Sequence, residues 1–200
     1  ATDTGRHVEN SIAALAEGLD LLIEKPMAVD SVEAMPGRER AAESHRSIFV
    51  GCVLRFSESL STFRRLLEQL GRIHSVSVDA RSYLPDWRPQ RLYRDSYSAR
   101  EAEGGVLRDL IHEIDLACYL VGEPLGRVAC QVDNISDLQI DTEDLTELLY
   151  RTENKSFVSI HLDYLTRCYQ RYIEIVGERG SLQVDLFSNK VTVISKSGEA

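Results

Sequence analysis

The stretch LLIEKPMAVD, residues 21–30, closes a short apolar run with an acid, an ammonium and a proline. Residues 19–23 read as a brief buried strand, and Glu24-Lys25-Pro26 as the loop at its carboxyl end. Upstream, Ile12, Ala13, Leu15 and Ala16 keep helical spacing within residues 7–17, and Gly18 stands where a left-handed cap belongs. Downstream, Asp30 and Ser31 offer an N-cap to a second helix with Glu33 in its first turn, which Pro36-Gly37 is expected to break or kink. Residues 48–54 form the next buried strand. Helix, strand, helix, strand is the alternation of a parallel sheet.

After Gly71 the pattern changes. Val76, Val78 and Ala80 alternate with Ser75, Ser77 and Asp79, the period of a half-exposed strand. The turn-rich segment SYLPDWRPQRLYRDSYSAR, residues 82–100, leads to a helix predicted over 105–121. Strands follow at 128–132, 145–151, 157–164, 171–176, 182–186 and 191–195. Such a succession predicts an antiparallel sheet, open on one face and covered by helices on the other. Ser57 caps a helix that Gly71 ends, so the two styles meet near residues 54–57. The expected class is α/β plus α+β.

Composition narrows the partners. Lys and Arg number 23 against 32 for Asp and Glu, a net charge of −9 with no basic block to offset it, so nucleic acid and anionic membranes are poor partners. The apolar runs are too short to cross a bilayer, and a cytoplasmic setting is the default. Cys52, Cys118, Cys130 and Cys168 are scattered without a CxxC pair and read as reduced core residues.

Four features now stand in one order: Thr4-x-x-His7, Glu24-Lys25-Pro26 at a strand end, Arg55-Phe56 after the next strand, and GGVLRDLIHEIDLACYLVG at residues 104–122. In that order and spacing, nearly the whole chain resembles the Gfo/Idh/MocA family of NAD(P)-dependent sugar and polyol oxidoreductases. SYLPDWRP together with DLIHEID is most similar to members of bacterial surface-polysaccharide pathways, whose substrate is often a nucleotide-linked sugar. The resemblance implies a partial Rossmann-type parallel sheet in residues 1–56. An open, predominantly antiparallel α+β domain for substrate and oligomerisation follows in 57–200, incomplete at its C-terminal end. The family's G-x-G-x-x-G turn, which seats the dinucleotide pyrophosphate at a helix N-terminus, does not occur in the 200 residues. NAD or NADP is therefore expected to serve the parent enzyme and not to bind this chain alone. A homo-oligomer through the open sheet is expected.

In such a sheet ligands lie beyond the carboxyl ends of the strands, which delivers Lys25 to the cleft where nicotinamide and sugar meet. Its ammonium can stabilise negative charge on the reacting oxygen, while Glu24 orients it or accepts from the cofactor ribose. Standing alone, the tripeptide would read as a solvated pair. His112 has the pKa that suits removal of a hydroxyl proton. In a continuous helix Asp109, His112 and Asp115 fall at i, i+3 and i+6 on one face, so either carboxylate can set the imidazole tautomer. Many family members place that first Asp four residues before the His; here the interval is three, although His112 and Asp115 keep the H-x-x-D pattern. The other readings are a histidine satisfied within the helix, or three metal ligands, for which no matching cluster exists elsewhere; no metal is expected.

Thr4 and His7 fall near the expected nicotinamide edge, Thr4 serving otherwise as a helix cap. Arg88 suits the cofactor, and Arg55, Trp87 and Asp115 the substrate, with the arginine forks suited to phosphate. Trp87 reads equally as a packing anchor. Tyr164 and Arg171 line the sugar side or lie on a subunit face. Tyr93, Arg94 and Tyr97 cover the cleft, and His45, His74 and His161 are structural. A cis peptide is expected between Lys25 and Pro26. Two functions remain open: an oxidoreductase moving hydride between NAD(P) and a hydroxyl of a sugar, polyol or nucleotide sugar, or a catalytically inactive segment serving as an oligomerisation or ligand-binding module.

Overall fold

The computed structural model describes residues 2–195 together with 198 and 199. Helix α1 (His7–Ala16), strand β1 (Leu21–Ile23), helix α2 (Ser31–Ser44) and strand β2 (Ile48–Val50) form the first unit, with β1 and β2 parallel and Leu22 opposite Phe49. Asp30 caps α2 by accepting from the first-turn amides of Val32 and Glu33, and the Glu33 carboxylate accepts in return from the amide of Val29, just before the cap. Pro36 does not break α2. The bond it forgoes is the one to the Val32 carbonyl, and both residues lie exposed, where water can take that acceptor. The strands are shorter than expected and are not buried on both faces: Leu22 and Phe49 are exposed on one side. Residues 51–56 do not extend β2; tight turns at Cys52 and Val53 lead into a 3-10 turn, Val53–Phe56.

Ser57 then caps α3 (Glu58–Leu66). The larger sheet consists of β3 (Ile73–Tyr83), β4 (Ala129–Asp133), β5 (Leu145–Arg151), β6 (Phe157–Asp163), β7 (Leu165–Gly177), β8 (Gly180–Asp185), β9 (Lys190–Ser195) and β10 (Gly198–Glu199). Its order is β10-β9-β8-β7-β3-β6-β5-β4, antiparallel throughout except that β3 and β6 run parallel. The predicted alternation places Val76, Val78, Ala80, Val158, Ile160, Leu162, Ile173, Ile175, Leu182 and Val184 inward, against Leu60 and Phe63 of α3 and the helices that follow β3. The opposite face, with Ser77, Asp79, Ser159, His161 and Glu174 in cross-strand register, carries polar side chains.

Between β3 and β4 the helix predicted over 105–121 is two helices, α4 (Val106–Asp109) and α5 (Ile111–Val121), parted at Leu110, whose φ of −102° and ψ of 22° leave the helical region. The glycine pair before α4 has a steric cause. A Cβ at Gly104 would fall 2.5 Å from the Ser98 carbonyl oxygen, and Gly105 takes φ +102°. All four cysteines are free, but Cys130 and Cys168 are exposed and are not core residues. Cys130 lies on edge strand β4, which is exposed along its whole length.

Candidate active site

The loop after β1 is fixed from both sides. His7 on α1 donates through Nδ1 to the Pro26 carbonyl at 2.9 Å, with Nε2 3.1 Å from the Thr2 carbonyl. Arg108 on α4 donates to the Val29 carbonyl at 3.1 Å. The Lys25-Pro26 peptide is cis, as expected. So held, Lys25 crosses to the second unit, and its Nζ donates to the main-chain carbonyl of Asp109 at 2.5 Å. Burial lowers the Lys25 pKa; Arg171 lowers it further, while Asp109, Glu24 and Glu113 oppose the shift.

The break at Leu110 reorganises the expected triad. The Asp109 carboxylate, 2% exposed, turns inward and accepts from the Tyr164 hydroxyl at 2.7 Å. His112 stands in the first turn of α5, and neither Asp109 nor Asp115 is its partner: the shared face required a continuous helix. Its Nε2 lies 3.2 Å from Oε1 of Glu113, and that same oxygen accepts from Nε of Arg171 at 2.6 Å. Burial lowers the His112 pKa; Glu113 pulls it up, and Arg171 and Lys25 push it down. For Glu113 burial acts upward, but the bonds and charges of His112 and Arg171 outweigh it and the net shift is downward. One ammonium, one imidazole and one carboxylate–guanidinium pair thus meet at the seam between the units. The set can stabilise an oxyanion and accept a proton.

Residues 61–183 match the family model described as the GFO/IDH/MocA C-terminal domain. The chain belongs to the GFO/IDH/MocA family. An uncharacterized oxidoreductase of Streptococcus pneumoniae is 25% identical over 196 residues, covering 96% of this chain and 53% of the relative. The glucose-6-phosphate 3-dehydrogenase of Bacillus subtilis is 27% identical, over 77% of this chain and 46% of the relative. Among solved structures, the WlbA dehydrogenase of Bordetella pertussis in complex with NADH and UDP-GlcNAcA superposes with a TM-score of 0.80 at 25% identity, over 92% of this chain and 54% of that one. The chain spans about half the length of the curated relatives it matches.

Other residues singled out in this GFO/IDH/MocA sequence take varied places. Arg55 and Asp115 pair with each other, Nε to Oδ2 at 2.8 Å, and the Arg55 guanidinium lies 4.9 Å over the Tyr119 ring. They bridge the two units. Tyr164 is fully buried, so it does not line a sugar; its ring stands perpendicular to that of Trp87 with centroids 5.3 Å apart, and its hydroxyl reaches the site through Asp109. Arg88 stacks 5.3 Å over Tyr97. Thr4 is buried in a 3-10 turn whose cap residue is Asp3, and Arg6 precedes α1, so Thr4 caps neither. Glu24 is exposed, its carboxylate close to Gly51 after β2. His161 bonds Glu147 and Asp163 on the open sheet face, away from the helices.

Glu113 is the residue that the sequence reading passed over. Its signal was present: Glu113, Leu116, Ala117 and Leu120 fall at i, i+3, i+4 and i+7, the apolar stripe of α5, and all are buried. Arg171 alternates with Ile173 and Ile175 on the inward face of β7. A lone acid on a buried helix stripe and a lone base on a buried strand face call for each other.

Proposed function

We propose that this chain supplies the substrate side of an NAD-dependent dehydrogenase that acts on a hydroxyl of a sugar, polyol or nucleotide sugar. The observation that carries the reading is Lys25, brought from a strand end in one unit into the α4–α5 junction of the other, beside His112. When the hydroxyl carbon is oxidised, its O–H bond breaks and the proton passes to the imidazole, while Lys25 stabilises the negative charge on the oxygen. Bound nicotinamide would supply the acceptor for the hydride. Glu24, exposed at the carboxyl end of β1, would offer its carboxylate to the hydroxyls of the cofactor ribose. The pyrophosphate turn is not within these residues.

The relatives support this range of substrates: one is named for oxidation of glucose 6-phosphate, one from Mycolicibacterium gilvum for inositol, and WlbA is held with a UDP-sugar. The same reading includes the division into residues 1–56 and 57–200, NADP as the other dinucleotide, failure of the isolated chain to hold either, a cytoplasmic setting and a homo-oligomer through the open sheet face. Among the described residues no helix is long and apolar enough to cross a membrane. The test is NAD(P) reduction by the full-length enzyme against a panel of free sugars, sugar phosphates, cyclitols and UDP-sugars. Turnover with one class supports the assignment; an enzyme with both dinucleotides bound and no turnover across the panel contradicts it.

A further inference from the structure

Arg108 stands on the four-residue helix α4, next to the residue that receives Lys25, and all three of its hydrogen bonds end on main-chain carbonyls. Nε donates to Val29 at 3.1 Å, and Nη1 donates to Glu101 at 3.1 Å and to Gly104 at 3.0 Å. The acceptors belong to two segments: Val29 to the loop that carries Lys25, Glu101 and Gly104 to the chain just before α4. That helix is itself pinned. The Leu107 amide donates to the Glu143 carboxylate at 3.1 Å, and the Val106 amide to the Glu143 main-chain carbonyl at 3.3 Å. Adjacent residues of one fixed helix therefore hold both ends of the stretch 25–29, Asp109 by accepting from Lys25 and Arg108 by donating to Val29, while His7 holds the Pro26 carbonyl from α1.

An ammonium has three N–H donors. One goes to the Asp109 carbonyl, which leaves two for a reacting oxygen. Were Lys25 alone to carry the loop across the seam, its place would depend on the same group that the chemistry has to share. A guanidinium has a planar fork of donors in fixed directions and can take over that holding task. Because its acceptors are main chain, the clamp is indifferent to the side chains at 29, 101 and 104.

We propose that Arg108 is a positioning residue for Lys25: it clamps the loop after β1 to the segment before α4, so that the ammonium keeps its place at the α4–α5 junction while its remaining N–H groups engage the reacting oxygen. The inference rests on the dehydrogenase reading. Arg108 acts through the loop and makes no contact with substrate in this role.

In the full-length enzyme Arg108→Leu should lower kcat about tenfold or more, since misplacing a group at the reacting centre by about 1 Å can cost on the order of 10²-fold, with KM for the dinucleotide unchanged. The charged groups facing Lys25 are Asp109, Glu24 and Glu113, which raise its pKa, and Arg171, which lowers it; burial lowers it most. A loop freed from its clamp admits water to the ammonium, so the alkaline limb of kcat/KM, which reports loss of the Lys25 proton, should move to higher pH. Arg108→Lys keeps the charge and loses the fork, so its kcat should stay low and its limb should move as well. A limb that moves in Arg108→Leu alone is an effect of charge and overturns the proposal. So does a lower yield of folded enzyme with kcat and limb in place. Should neither variant fold, a crystal structure of the wild-type enzyme decides: the Nε bond to the Val29 carbonyl supports the clamp, and its absence contradicts it. Lys25→Ala separates the layers, because normal turnover there removes the dehydrogenase reading, whereas loss there with full kcat in both Arg108 variants removes only the role of Arg108.

Discussion

The main-chain carbonyl of Asp109 accepts the ammonium of Lys25, and its side chain points the other way, into the core. One residue thereby ends α4, receives the loop that follows β1 and reaches Tyr164 beneath the sheet. The first unit thus docks on main chain, which a substitution at Asp109 does not remove; the interior bond can be altered separately.

Tyr164→Phe deletes the hydroxyl that meets the Asp109 carboxylate and leaves that carboxylate buried without this donor. The expected loss of stability is about 1–3 kcal/mol, the usual cost of unpairing a buried acceptor, read from denaturant unfolding. Activity should fall as well, because the α4–α5 junction carrying His112 is set by Asp109. A variant as stable as the parent would show that the hydroxyl has no structural role.

Arg55 and Asp115 join the turn after β2 to α5, but Arg55 is 40% exposed and solvent screens the pair. A double-mutant cycle with Arg55→Ala and Asp115→Ala should give a coupling of no more than about 1 kcal/mol. Arg55→Lys should lose most of it, since the fork and the stacking on Tyr119 go together. An unchanged coupling with lysine would contradict the geometric argument.

His161 has its pKa raised, first by its bond to Asp163 and also by Glu147, against the downward effect of burial. A folded-state pKa above the unfolded value means that this contribution to stability is fully present below about pH 6.5 and is lost as pH rises through the higher folded value. His161→Gln should therefore flatten the decline in stability on the alkaline side of pH 6.5. Equal slopes for variant and parent in that window would refute the assignment.

The legible part of the fold followed from patterns with a local cause. Asp30 before α2, Ser57 before α3 and the alternation of Val76, Val78 and Ala80 are each decided by neighbours in sequence, and each element appears where the pattern put it. The reach of Lys25 to the α4–α5 junction was legible because the carboxyl end of a strand in a parallel sheet projects its loop away from the sheet. The partner of His112 was not, because the inference assumed one continuous helix. The break at Leu110 turns Asp109 inward to Tyr164, a residue 55 positions away, and spacing alone contains no information about that contact. Periodicity did mark Glu113 as buried, and attention to the apolar stripe rather than to the H-x-x-D pattern would have found it. The parallel pairing of β3 with β6 likewise depends on residues some 80 apart, beyond the reach of a succession of strands read in order.

The central claim is that Lys25 and His112 perform the chemistry, and steady-state kinetics of Lys25→Ala and His112→Ala in the full-length enzyme test it most directly, with dinucleotide affinity measured alongside by calorimetry. Each substitution should lower kcat by roughly 10² or more while the affinity for NAD(H) changes little, because both groups act on the reacting oxygen and its proton. Near-normal turnover in either variant, with the protein folded and the cofactor bound, would contradict the account.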